Sequence, residues 1–259
     1  MSLVKGVYSV KKMMAANWKM HKTQAEARES AAALISSFDT VPADREVVIF
    51  APYTALAACA DLFTGKTGFS LGAQNVYPAD KGAFTGEISP SMLLDAGCTH
   101  VLTGHSERRA LLGEDSAFVG KKTAFALQAG LKVVMCIGET LDQRESGKLA
   151  DVLREQLVKG LAGVDDAVPV DDLAIAYEPV WAIGTGKVAG PREIIDTHAI
   201  VRKLLVERFP KQGGKIRILY GGSVKPDNTS EIIMLDNVEG VLVGGASLDA
   251  ASMRQIVVA

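Results

Sequence analysis

Cysteine is scarce in this chain, and its few positions exclude more than they suggest. Cys59, Cys98 and Cys136 are the three among 259 residues. An odd number at spacings that match no zinc motif argues against a disulfide framework and a zinc module. It suits a reduced interior in which cysteine packs as a small hydrophobe. Histidine is nearly as sparse, and His21, His100, His105 and His198 show no zinc spacing either. Excess charge is also missing: 30 acidic against 28 basic residues leave a formal net charge of -2. That balance argues against a general nucleic-acid or anionic-membrane binder, so an anionic ligand would need a local positive site. No apolar run reaches membrane-spanning length, and Met1 to Lys12 carries lysines without the apolar core of a signal peptide. The expectation is a soluble, cytoplasmic protein with no nucleic-acid and no membrane partner. No linker, low-complexity stretch or charge block divides the chain, so residues 1–259 are expected to form a single domain.

What is present is an alternation. Short apolar, β-rich runs stop at a polar residue or a glycine: Met13 to Ala16 before Asn17, Val47 to Phe50 before Pro52, Phe69 to Ala73 before Gln74, and His100 to Leu102 before Gly104 and His105. The pattern continues with Val133 to Ile137 before Gly138, Ala174 to Tyr177 before Glu178, Ile216 to Tyr220 before Gly221, and Val241 to Val243 before Gly244. Between them lie amphipathic segments, Thr23 to Phe38, Ala55 to Phe63, Ser116 to Gln128, Gly147 to Leu161, Arg192 to Phe209, Ser230 to Leu235 and Ala250 to Val257. Strand, helix, strand at this spacing signals repeated βαβ units and a parallel sheet. Eight such units in this length predict an α/β fold closed as a (β/α)8 barrel. The rival, an open doubly wound sheet, usually carries a Gly-rich nucleotide loop after its first strand, and Asn17-Trp18-Lys19-Met20 offers none. Two connections stand out: the long, glycine-bearing loop Asn75 to Ile88, and the charge-dense stretch Thr103 to Arg109.

Barrel enzymes carry their chemistry at the carboxyl ends of the strands, so the polar stops converge if the barrel closes. The site would then hold Asn17 and Lys19, His105, Glu178, Ser223, and the Gly244-Gly245 pair. Glu178 closes an apolar strand, Pro179 forbids further ladder pairing, and the loop exits through Gly184 and Gly186, which reads as a base beneath a lid. Loops after the last two strands of such barrels often hold phosphate through backbone N–H groups. One base, one imidazole, one lysine and a phosphate cradle suit proton abstraction beside a carbonyl of a small phosphorylated substrate, without metal or cofactor. Each residue has a plainer reading: Glu178 as a buried acid at a strand end, His105 as structural, Lys19 as a surface lysine, and the Gly-Gly pairs as tight turns. Glu107, Arg108 and Arg109 read as a structural ion-pair cluster around His105, and Cys136, inside a strand, as buried and inert.

In order along the chain, Asn17-Trp18-Lys19-Met20, Gly72 to Asn75 with Gly82 to Glu87, Thr103 to Arg109, Cys136 to Glu139, Tyr177 to Lys187, Tyr220 to Ser223 and Val243 to Ser247 resemble the motifs of the triosephosphate isomerase family. The resemblance runs from the first strand to the last and is jointly specific. It implies a TIM barrel and the cofactor-free interconversion of dihydroxyacetone phosphate and glyceraldehyde 3-phosphate. It implies Glu178 as the base, His105 as a neutral imidazole electrophile, and Lys19 and Asn17 as substrate-binding groups. Gly184, Ser223, Gly244 and Gly245 would hold the phosphate, with Val180 to Lys187 as the lid. Tyr220 and Ser223 would be its latch, and Glu107 would support the lysine side of the site. It further implies a homodimer, or sometimes a tetramer, whose third loop, with Phe84 and Thr85 at the interface, inserts Thr85 near the partner subunit's Asn17 and the partner subunit's Lys19. The departures are Ala16 where glycine is usual and His21 where asparagine is common. The alternatives are another phosphate-binding barrel isomerase, epimerase or lyase, or a non-catalytic barrel scaffold.

Overall fold

Strands buried on both faces need apolar side chains in both directions, and that is what the short runs supply. The computed structural model describes residues 11–183 and 188–259. In chain order its elements are β1 (Lys12–Asn17), α1 (Gln24–Ser36), β2 (Arg45–Ala51), α2 (Tyr53–Phe63), β3 (Phe69–Ala73), α3 (Pro90–Asp95), β4 (His100–Thr103), α4 (Ser106–Leu112), α5 (Ser116–Gln128) and β5 (Lys132–Ile137). They continue as α6 (Leu141–Glu145), α7 (Leu149–Gly160), β6 (Leu173–Tyr177), α8 (Pro191–Arg208), β7 (Arg217–Tyr220), α9 (Thr229–Ile232), β8 (Gly240–Val243) and α10 (Ala250–Val258), with short 3-10 turns at Val180–Ala182 and Gly245–Leu248. The eight strands pair in sequence order, and β1 pairs β8 in parallel, Met14 against Val241, which closes the barrel.

Alternation along each strand divides the core in two. Outward residues such as Met14, Val47, Ile49 and Ile218 pack under the helices. Inward residues, among them Ala15, Phe50, Leu102, Cys136, Ala176 and Leu242, fill the barrel. Gly72 stands beside Phe50 on the neighbouring strand: a Cβ there would lie 2.5 Å from the Phe50 ring, so β3 leaves room for that side chain.

The strands stand where the sequence places them, to within a residue or two. The helices differ more. Thr103 to Arg109 is not a charged loop throughout, because α4 begins at Ser106. The helices Pro90–Asp95 and Leu141–Glu145 were not expected either. Both are too short to show a 3.6-residue period. Each is announced by its cap: Ser89 accepts from the Met92 N–H ahead of Pro90, and Thr140 forms a capping box with Gln143. In place of Ser230 to Leu235, α9 is a single turn from Thr229 to Ile232.

Candidate active site

The inward alternation, carried one step past the core, decides what stands at the barrel mouth. Ala15 is followed by Asn17, Ala176 by Glu178, Leu219 by Gly221, Leu242 by Gly244 and Cys136 by Gly138. Several of these top positions are glycine: Gly138 lets the Glu178 backbone pack close, while Gly221 and Gly244 leave room at a cavity. A Cβ at Gly138 would fall 1.8 Å from the Glu178 carbonyl oxygen, one at Gly221 2.9 Å from Glu178 Cγ, and one at Gly244 3.2 Å from Lys19 Cε. That cavity, of about 300 Å³, is lined by Asn17, Lys19, His105, Glu178, Ser223, Gly244 and Gly245. Gly222, Val224 and Lys225 also line it, and Val224 and Lys225 were not singled out from sequence.

Glu178 is buried, and both carboxylate oxygens are engaged. Oε1 lies 2.9 Å from His105 Nε2, and Oε2 accepts the Ser106 N–H at 2.9 Å. Burial pushes its pKa up, but His105, the Ser106 N–H and Lys19 together hold it below the usual carboxylate value, so the group is ionised. His105 caps α4, its Nδ1 accepting the Glu107 N–H at 3.3 Å. A ring nitrogen that accepts carries no proton, so this bond selects the Nε2–H tautomer that donates to Glu178. Burial lowers the imidazole pKa, while the adjacent Glu178 charge and, more weakly, Glu107 raise it, and the sum in this arrangement is upward.

Lys19 sits on strained backbone, with φ 51°. Its N–H donates to Asn17 Oδ1 at 2.9 Å, and its carbonyl accepts from Gln74 Nε2 at 2.8 Å. Its ammonium meets Glu107 Oε1 at 2.5 Å. The ion-pair cluster expected around His105 is therefore only partly present. Glu107 faces His105 and Lys19, but Arg108 turns to Glu114 at 2.7 Å, and Arg109 donates to the Gly104 and Cys136 carbonyls at 2.8 and 3.2 Å. A helix starting at Ser106 turns successive side chains about 100° apart, so three consecutive residues cannot share one partner. Cys136 is buried, and burial raises its thiol pKa well above the ordinary value.

Past the end of β5, Glu139 is a hub: its Oε1 accepts from Arg144 (2.9 Å), Tyr177 Oη (3.0 Å) and Trp181 Nε1 (2.8 Å). The sequence placed Glu139 at a strand end and gave it no role. Of the stretch expected to be a lid, Gly184 and the rest of 184–187 lie outside the described residues, and Val180–Ala182 form a 3-10 turn. Tyr220 is buried behind the cavity, its hydroxyl 2.2 Å from where a Cβ on Gly222 would fall. Phe84 packs on Tyr77, ring centroids 4.5 Å apart, while Thr85 at the loop tip is exposed.

Known proteins share this arrangement over almost the whole chain. The triosephosphate isomerase of Nitratidesulfovibrio vulgaris (strain Miyazaki F) is 63% identical over 252 residues, covering 96% of this chain and all (100%) of that relative. That of Oleidesulfovibrio alaskensis is 61% identical over 250 residues, again 96% and 100%. The crystal structure of triosephosphate isomerase from Bartonella henselae superposes with a TM-score of 0.84 at 39% identity, covering 95% of this chain and 98% of that one. The barrel, the carboxylate–imidazole pair and a match of residues 12–259 to the family model for triosephosphate isomerase lead to one assignment: this chain belongs to the triosephosphate isomerase family.

Proposed function

We propose that the chain interconverts dihydroxyacetone phosphate and D-glyceraldehyde 3-phosphate, with Glu178 as the base, His105 as the electrophile and Lys19 beside it. The observation that carries this reading is the ionised Glu178 in contact with His105 Nε2–H, inside a cavity that also holds an ammonium and two glycine-rich turns. Glu178 takes a proton from the carbon bearing the hydroxyl. The electron pair moves toward the carbonyl oxygen to form an enediolate, the hydroxyl proton passes to that oxygen by way of His105 Nε2, and Glu178 returns its proton to the neighbouring carbon, leaving a carbonyl where the hydroxyl stood. Negative charge grows on the oxygens, where the His105 Nε2–H and the Lys19 ammonium are the available donors. To reach carbon, the carboxylate must leave His105. That departure frees the Nε2–H for substrate and removes the charge that raises the imidazole pKa, so burial then keeps the ring neutral. Backbone N–H groups at Gly244, Gly245 and Ser223 would take the phosphate, joined by Gly184 from the lid, with Tyr220 bracing the closed lid.

This reading includes a single domain over 1–259, supported by the pairing of first and last strands. It includes a homodimer in the cytoplasm. Met20, Leu111 and Leu112 are 95%, 79% and 63% exposed. All three border a cleft also lined by Asn17, Lys19, His105 and Glu107, an apolar rim suited to the partner's third-loop tip.

The test is turnover of glyceraldehyde 3-phosphate in a coupled assay, run on chelator-treated protein beside Glu178→Gln. Removing a general base costs about 10²–10⁴-fold, so turnover should collapse in the variant and ignore the chelator. Undiminished turnover by Glu178→Gln would remove Glu178 as the base.

A further inference from the structure

Between the catalytic lysine and the first helix lies a residue the mechanism does not use. Lys22 has φ 75°, the left-handed region where glycine is at ease and a side chain is not. Its ammonium donates to the Leu248 carbonyl at 2.9 Å and to Ser30 Oγ at 2.6 Å, and lies 5.1 Å from the Trp18 ring centroid. Leu248 ends the turn Gly245–Leu248, whose first residues line the cavity. That turn is braced internally, because Ser247 donates to the Gly244 carbonyl from both N–H (2.9 Å) and Oγ (2.7 Å). Among the described residues its hydrogen bonds to the β1 loop are two: Trp18 Nε1 to the Ser247 carbonyl at 3.2 Å, and Lys22 to Leu248. The loop that aims Lys19 into the cavity therefore also holds the far end of the phosphate-facing turn.

We infer that Lys22 is a positioning residue for phosphate: its ammonium fixes the Gly244–Leu248 turn so that the Gly244 and Gly245 N–H groups keep their aim. The inference rests on the phosphate reading of those glycines. A charged donor on a carbonyl is one of the stronger single hydrogen bonds, and losing it frees a turn otherwise tied to that loop by one indole N–H.

The test compares Lys22→Gly and Lys22→Met with the unsubstituted chain, using glyceraldehyde 3-phosphate, phosphate-free glyceraldehyde and inorganic phosphate as a competitive inhibitor. Both variants should raise KM and the phosphate inhibition constant roughly 10-fold, equivalent to about 1.4 kcal/mol, with a much smaller change in kcat. Turnover of phosphate-free glyceraldehyde should change little, since it does not use the cradle. Lys22→Gly also relieves the backbone, so its melting temperature should match or exceed the parent's while its phosphate affinity falls. Two results overturn the proposal: unchanged KM and phosphate inhibition in both variants, or equal losses on both substrates accompanied by a lower melting temperature. If the unsubstituted chain neither turned over the phosphorylated substrate nor bound phosphate, the isomerase reading itself would fail, a separate outcome from these two.

Discussion

Gly221→Ala tests how little freedom the base has. The substituted residue need touch neither substrate nor a reacting atom; its new methyl would lie 2.9 Å from Glu178 Cγ and 3.2 Å from the Tyr177 carbonyl oxygen. Carbon–carbon contacts settle at about 3.5–4.0 Å, so Cγ must retreat by roughly 0.6–1.1 Å. In the resting arrangement Gly138 packs against the Glu178 backbone and both oxygens are bonded, so the displacement shifts the point from which the carboxylate swings to carbon. A misplacement near 1 Å at a reacting centre costs about 10²-fold, so kcat should fall by about that factor. Overpacking should also cost about 1–3 kcal/mol of stability. The measurements are kcat with saturating glyceraldehyde 3-phosphate and a thermal melt. Gly214→Ala, whose Cβ meets nothing within 4 Å, serves as the control for glycine replacement as such. A Gly221→Ala enzyme with kcat within three-fold of the parent would refute the reasoning: either the carboxylate has slack, or another group takes the proton.

Two further outcomes are expected. Burial lowers the pKa of His198 to about 4 and that of His100 to about 3, in the latter with help from Lys132 and Arg217. The unfolded chain binds those protons first, so stability should decline as pH falls from about 6.5 toward 4, by about 3 kcal/mol for His198. Denaturant titrations at stepped pH would reveal it, and a His198→Gln variant with the same slope would contradict it. Phe84→Asp should weaken self-association by placing a charge at the loop tip, read as a drop in mass by sedimentation; an unchanged mass would count against the third loop as interface.

The barrel was legible because parallel strands covered on both faces read as plain apolar runs, and because polar stops at strand ends fall on the inward parity. Asn17 and Glu178 stand at the mouth for that reason; Lys19 follows in the loop after β1, and His105, which is off that parity, is brought in by the turn into α4. Less legible was whatever depends on the rotation of a short helix. Consecutive Glu107, Arg108 and Arg109 look like one cluster on paper, and α4 sends them to three different partners. Gln74 bonding the Lys19 carbonyl spans 55 residues, and Glu139 reaching Trp181 spans 42, distances at which spacing carries no signal.

The turn from His105 to Glu107 has a role in tolerance as well as in chemistry. Ser106 N–H sets the resting point of the base, and Glu107 N–H sets the ring that stands against it. Both groups are thus gauged from one short piece of backbone, although they arrive from strands with β5 between them. When the ring of strands breathes or drifts in evolution, an error in that turn displaces base and imidazole together and leaves their separation alone. A fold that must gather its chemistry from many strand ends has here a single reference mark for its most exacting distance.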